Sequence, residues 1–198
     1  MYAIAINGSP RKGGNTEIML KAAIAPLEKA GWETDYVRIG GKGIRGCLAC
    51  GKCAGNPELK CAQTKDGFNE IMEKMLRADA IVLGSPTYFT DVTAEMKGLI
   101  DRSGFIAVCN NRAFAGKIGV AVAAARRAGA VHVFDTINHM FLMNQMIVPG
   151  SIYWNLGLGL DKGEVNDDQE ALTNMENIGQ VIDWLATSIA PNKASFPK

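Results

Sequence analysis

The sequence lacks any uninterrupted apolar run of the roughly 20 residues needed to cross a bilayer, because charge or glycine breaks its longest candidates. No membrane partner is expected. It also lacks a charge bias: 21 basic residues stand against 20 acidic ones, a formal charge of +1, so no field gathers nucleic acid or an anionic surface. The first strand-like run, Tyr2 to Ile6, carries neither the basic flank nor the small-residue cleavage site of a secretory signal, so a cytoplasmic location is expected. Internal repeats and low-complexity linkers are absent. Histidine is scarce. His132 and His139 share a predicted helix face but have no third ligand at metal spacing, and are read as structural.

Cysteine is nearly confined to one place. Four of the five cysteines fall between Cys47 and Cys61, whereas a disulfide framework spreads its cysteines through a small, core-poor chain. A reducing compartment and a metal or redox use fit this distribution better. Cys109 stands apart and reads as a partly buried thiol.

Short apolar runs alternate with amphipathic helical stretches, the signature of βα units and a parallel sheet covered on both faces. Strands are expected at Tyr2–Asn7, Glu33–Ile39, Ala78–Gly84, Lys117–Ala124 and Met146–Pro149. Helices are expected from Asn15 to Gly31, Gly67 to Arg77, Thr93 to Gly104, Val131 to Met143, and from Asp167-Asp168 to about Ile189. This is an α/β protein: one domain over 1–190 with a cysteine-rich loop at 46–62, and a frayed tail at 191–198.

Gly8-Ser9-Pro10-Arg11-Lys12-Gly13-Gly14-Asn15-Thr16 lies between a strand and a helix, where unpaired N–H groups and the positive helix end favour an anion such as phosphate. Gly13 and Gly14 permit close backbone approach; Ser9, Asn15 and Thr16 can donate to phosphate oxygens, and Arg11 adds charge-assisted bonds. The loop is neither a nucleoside-triphosphate loop, which ends in Gly-Lys-Ser/Thr, nor G-x-G-x-x-G. The third strand ends in Gly84-Ser85-Pro86-Thr87-Tyr88-Phe89, at the sheet edge where doubly wound proteins place ligands. Thr87 offers hydrogen bonds there, and Tyr88 and Phe89 offer apolar surface for a flat ring or for the core.

These two segments, followed by Met96-Lys97-Gly98-Leu99-Ile100-Asp101-Arg102, resemble the NAD(P)H-dependent FMN reductase branch of flavodoxin-like proteins. The resemblance implies a three-layer sandwich with a five-stranded parallel sheet in order 2-1-3-4-5 and FMN at the switch point. It assigns Ser9, Arg11, Gly14, Asn15 and Thr16 to the FMN phosphate and Pro86, Thr87, Tyr88 and Phe89 to the isoalloxazine. A third loop, Ala124 to Gly129, completes the site through Ala125 and Arg126. Arg126 or Arg127 either balances charge on flavin or nicotinamide phosphate or is solvated surface. A homodimer or homotetramer is also implied.

Cys47-x2-Cys50-x2-Cys53-x7-Cys61 supplies four soft ligands within one loop, enough to enclose a cubane iron–sulfur cluster. The spacing resembles iron–sulfur flavoproteins, in which a [4Fe–4S] cluster exchanges electrons with FMN. Zinc or a thiol pair could use the same residues. The implied activity is FMN-dependent oxidoreduction, with NAD(P)H or a redox protein as electron partner and no side chain needed as acid or base. The rivals are a flavodoxin-type carrier without nicotinamide turnover and a non-redox regulatory module on the same fold.

Overall fold

A computed structural model describes residues 1–197; Lys198, the end of the expected tail, lies outside the described residues. The first strand, β1 (Tyr2–Asn7), pairs in parallel with β2 (Glu33–Arg38) and with β3 (Ala80–Pro86). Beyond β3 come β4 (Ile118–Ala125) and β5 (Leu156–Leu158), also parallel. The order β2-β1-β3-β4-β5 is the one the resemblance implied.

Helices cover both faces, so both parities of each central strand are apolar. Ile4, Ile6, Ile81 and Leu83 pack toward α2 (Phe68–Arg77), α3 (Ala94–Cys109) and α4 (Ala130–Met143). Ala3, Ala5, Val82 and Val120 pack toward α1 (Asn15–Lys29) and α5 (Gln169–Ile189). The small alanines of β1 let α1 approach closely, and Met19, Leu20, Ala23 and Leu27 fill the space at helical spacing. Asp168 caps α5 by accepting from the Ala171 N–H at 3.0 Å.

The fifth strand is not where the apolar run Met146–Pro149 placed it. Ile147 makes a single parallel bridge to Ile118, through Ile147 N to the Lys117 carbonyl at 2.8 Å and Gly119 N to the Ile147 carbonyl at 2.9 Å. Pro149 then has no N–H to continue the ladder, and the chain leaves the sheet. It returns at Leu156–Leu158 beside Ala123–Ala125, the carboxyl half of β4. Asn174 holds the detour, its amide donating to the carbonyls of Tyr153 and Trp154. Past α5, Ala190–Ser195 forms a 3-10 helix, and Lys193 pairs with Asp79.

No described helix is long and apolar enough to cross a membrane.

Candidate functional site

The carboxyl ends of β1, β3, β4 and β5 meet in one open cleft, whose cavity volume is about 200 Å³. Its first wall is the turn from β1 into α1. Gly8 N donates to the Gly84 carbonyl at 2.8 Å, Asn7 Oδ1 accepts from Ser9 N at 2.7 Å, and Ser9 Oγ accepts from Arg11 N at 3.2 Å. Gly40 packs against this turn so closely that a Cβ on it would lie 2.2 Å from the Ser9 carbonyl carbon. Gly14 sits at the N-cap of α1 and offers no side chain, so the leading N–H groups of the helix are left for another acceptor.

Ser9, Arg11, Asn15 and Thr16 line the cleft, whereas Gly14 does not. The Asn15 side chain is committed elsewhere. Its Nδ2 donates to the carbonyls of Gly159 and Asp161, both at 3.0 Å, while Oδ1 accepts from Gly163 N at 2.9 Å and Val165 N at 3.4 Å. The amide is saturated, which leaves only its backbone for a bound anion. Arg11 Nη1 donates to the Leu160 carbonyl at 2.9 Å, so the same loop is pinned twice.

Buried Glu17 lies behind this wall. Burial pushes its carboxyl up, but hydrogen bonds from Lys21, the Gly13 N–H and Tyr36 outweigh that and hold it below the usual glutamate range. Its charge is therefore locked onto Gly13 N at 2.7 Å and Lys21 Nζ at 2.8 Å rather than turned on the cleft.

The second wall is the loop after β3. Thr87 N donates to the Ala124 carbonyl at 2.8 Å, which fixes Pro86, Thr87 and Tyr88 along the cleft. Thr87 Oγ1 is buried and has no hydrogen-bond partner, an arrangement that costs free energy unless a ligand completes it. Tyr88 and Asp91 exchange backbone bonds of 2.9 and 3.1 Å and close a tight turn, which holds Phe89 and Thr90 at φ of 48° and 65°. Phe89 is consequently fully exposed, at 103%, and does not line the cleft; the turn aims its ring outward.

Ala124, Ala125 and Arg126 line the third wall. Gly159 and Leu160 form a fourth wall that the sequence reading missed because it put the fifth strand elsewhere. The repeat Leu156-Gly157-Leu158-Gly159-Leu160 carried the signal, since a Cβ on Gly159 would meet Asn15 Nδ2 at 2.6 Å. Together the walls bring a helix start and the Arg11 side chain into one cleft with Pro86, Thr87 and Tyr88. A helix start and a guanidinium suit an anionic group, and the apolar lining beside them suits a ring or chain.

A second pocket is lined by all four clustered cysteines, Cys47, Cys50, Cys53 and Cys61, together with Arg102, Phe105 and Ile106 of α3. The described cysteines are all free thiols. The loop is anchored at several points: Asn110 Nδ2 donates to the Cys53 carbonyl at 2.9 Å, and Asn69 exchanges bonds with the Cys61 backbone at 2.8 and 3.0 Å. The Ala49 N–H, on a left-handed residue between the first two cysteines, donates to Cys47 Sγ at 3.4 Å. Burial pushes the Cys53 thiol up, and neighbouring thiols push the same way against an opposing backbone hydrogen bond. Among the described residues, no three His, Cys, Asp or Glu side chains are gathered tightly enough to hold a metal ion.

The sequence profile of the family described as NADPH-dependent FMN reductase matches residues 1–161. An iron-sulfur flavoprotein of Methanocaldococcus jannaschii is 34% identical over 189 residues, covering 92% of this chain and 95% of that protein. Among solved structures, RosB with bound 8-demethyl-8-formylriboflavin-5'-phosphate superposes with a TM-score of 0.74 at 18% identity, covering 98% of this chain and 81% of that one. A flavodoxin from the domain Archaea gives a TM-score of 0.57 at 18% identity, covering 92% and 99%. These two likenesses establish the fold.

Proposed function

Since the chain belongs to the NADPH-dependent FMN reductase family, we propose that it is an oxidoreductase that holds FMN in the cleft at the sheet edge and takes electrons from NAD(P)H or a redox protein. The observation that carries this reading is that one cleft at the carboxyl ends of the strands brings the uncapped start of α1, with Ser9, Arg11 and Thr16, together with Pro86, Thr87 and Tyr88. The open N–H groups of α1, with Ser9, Thr16 and Arg11, would hold the phosphate; Pro86, Thr87 and Tyr88 would border the ring. FMN, when bound, supplies the exchange between two-electron hydride chemistry and single-electron transfer. The protein's own work is to orient the ring, donate hydrogen bonds to its polar edge and leave one side open to a donor. Arg126, at the cleft edge, can offset negative charge there.

We further propose that Cys47, Cys50, Cys53 and Cys61 hold a [4Fe–4S] cluster that exchanges electrons with the flavin. The relative's name supports this, as does a donor set of four soft ligands on one pocket wall. Thiolates around a single zinc ion stand about 3.8 Å apart, given Zn–S bonds of about 2.3 Å. A cubane assigns each thiolate to its own iron and asks for four cysteines, the number that lines this pocket. Exposed Ile152, Tyr153, Trp154 and Leu158, beside the edge strand, support assembly into a homodimer or homotetramer.

Anaerobic purification followed by visible absorption, iron and acid-labile sulfide analysis tests both parts. Flavin bands with about four iron and four sulfide per chain support the reading. Flavin without iron removes the cluster alone, zinc redirects the loop to a structural site, and failure to bind added FMN removes the whole proposal. Stopped-flow mixing with NADH and NADPH then distinguishes a reductase from a carrier that is reduced only by a protein donor.

A further inference from the structure

Arg102 is the bulkiest fully buried side chain among the described residues, only 1% exposed, and it lines the pocket of the four cysteines. Four of its five N–H groups are spent. Nη1 donates to the Arg45 carbonyl at 3.2 Å and to Asp66 Oδ2; Nη2 donates to the Gln63 carbonyl at 3.1 Å and to Asp66 Oδ1 at 3.3 Å. Residues 45 and 63 stand just outside Cys47 and Cys61, so one guanidinium fastens both ends of the cysteine segment to α3. Its carbon lies 3.9 Å from the centre of the Phe68 ring, which closes one face against water.

The fifth donor, Nε–H, is buried and has no partner. A rigid fork with four bonds made cannot turn to satisfy the last one, so that N–H has no acceptor among the described residues. Asp66, which neutralises the guanidinium, lines the adjoining groove beside Lys65 and not the cysteine pocket. No carboxylate lines the cysteine pocket, whose remaining wall includes Leu48, Phe105 and Ile106. An anionic sulfur is the acceptor chemistry that this arrangement suits.

We propose that Arg102 is the positioning residue of the four-cysteine site and that its Nε–H donates to a sulfur of the cluster held there. This rests on the cluster reading above. Taking up one electron makes the cluster one unit more negative with no bond formed or broken, and a donor to sulfur stabilises that reduced form most. The hydrogen bond therefore raises the cluster's reduction potential relative to the flavin's.

The test compares anaerobic wild-type protein with Arg102→Lys, which keeps the charge and loses Nε–H. With iron retained, the cluster of the variant should be about tenfold harder to reduce, equivalent to 59 mV for one electron, while the FMN midpoint in the same sample stays put. Retained iron with an unchanged cluster potential overturns the inference and leaves the cluster reading standing. Should the variant lose iron, the wild type still decides. Pulsed EPR of reduced protein carrying 15N-arginine should show a nitrogen coupling that persists in Arg45→Lys, and its absence overturns the inference. A wild-type preparation without iron defeats the cluster reading itself, and this inference with it, before any variant is made.

Discussion

Asn15 Nδ2 donates to the Gly159 carbonyl at 3.0 Å across 144 residues of chain, and this bond joins the first and last walls of the cleft. With three further bonds from the same amide, it holds the loop after β5 against the start of α1. Asn15→Ala leaves those backbone groups without partners in a half-buried setting, at a cost of about 2–3 kcal/mol. Urea denaturation of the apoprotein should show that loss, and FMN affinity should fall with it. Asn15→Asp should be no better, because a carboxylate cannot donate to two carbonyls.

Thr87 gives a sharper contrast, since its hydroxyl is buried and unpaired without a ligand. Thr87→Val keeps the shape and removes the unsatisfied group, so the apoprotein should be as stable as wild type or slightly more so. If flavin supplies the missing partner, FMN binding should weaken about tenfold, the value of one net hydrogen bond near 1.4 kcal/mol. Fluorescence titration of FMN into both apoproteins reads the difference. Equal dissociation constants would remove Thr87 from the flavin site.

The turn after β1 was legible as a strand-to-helix turn because its chemistry is local: glycines, Asn15 and Thr16 fall between an apolar run and a helical one, and the helix start is found there. The clustering of the four cysteines is local too, and the fold brings them to one pocket. What the sequence concealed depends on distant partners. Leu156–Leu158 is too short and glycine-broken to announce a strand, and it pairs only because β4 offers its carboxyl half after Pro149 ends the ladder at Ile147. Gly159 and Leu160 were lost with it. The duties of Asn15 and Arg102 stay invisible until the residues they bind, far along the chain, are placed beside them.

Tyr88 lines the cleft and its neighbour Phe89 does not, although both stood as candidates for the ring edge. Tyr88→Ala should weaken FMN binding several-fold by removing apolar contact. Phe89→Ala should leave the dissociation constant within about twofold, since a fully exposed ring gives up no burial. Phe89→Gly should match or slightly exceed wild-type stability, because glycine relieves the left-handed backbone at φ 48° while adding freedom to the unfolded chain. A loss of FMN affinity in Phe89→Ala comparable to that of Tyr88→Ala would mean that the turn folds over the ligand.

Asp66 sets the acid limit of the cysteine loop. Burial alone pushes its carboxyl up, but hydrogen bonds from Arg102 and the Arg45 N–H, with the guanidinium charge, hold it below the usual aspartate range. A carboxyl depressed on folding contributes stability that is complete above its unfolded value, near 3.9, and is lost as pH falls through the lower folded value. Asp66→Asn leaves Arg102 charged and short of its counterion, which at neutral pH should cost about 3–5 kcal/mol for so buried a pair. The gap between wild type and variant should narrow as pH drops below about 4, because the wild type loses by protonation what the variant has already lost. Urea midpoints at pH 7, 5 and 3 measure it; a gap constant across that range would show that the Asp66 charge does not stabilise the fold.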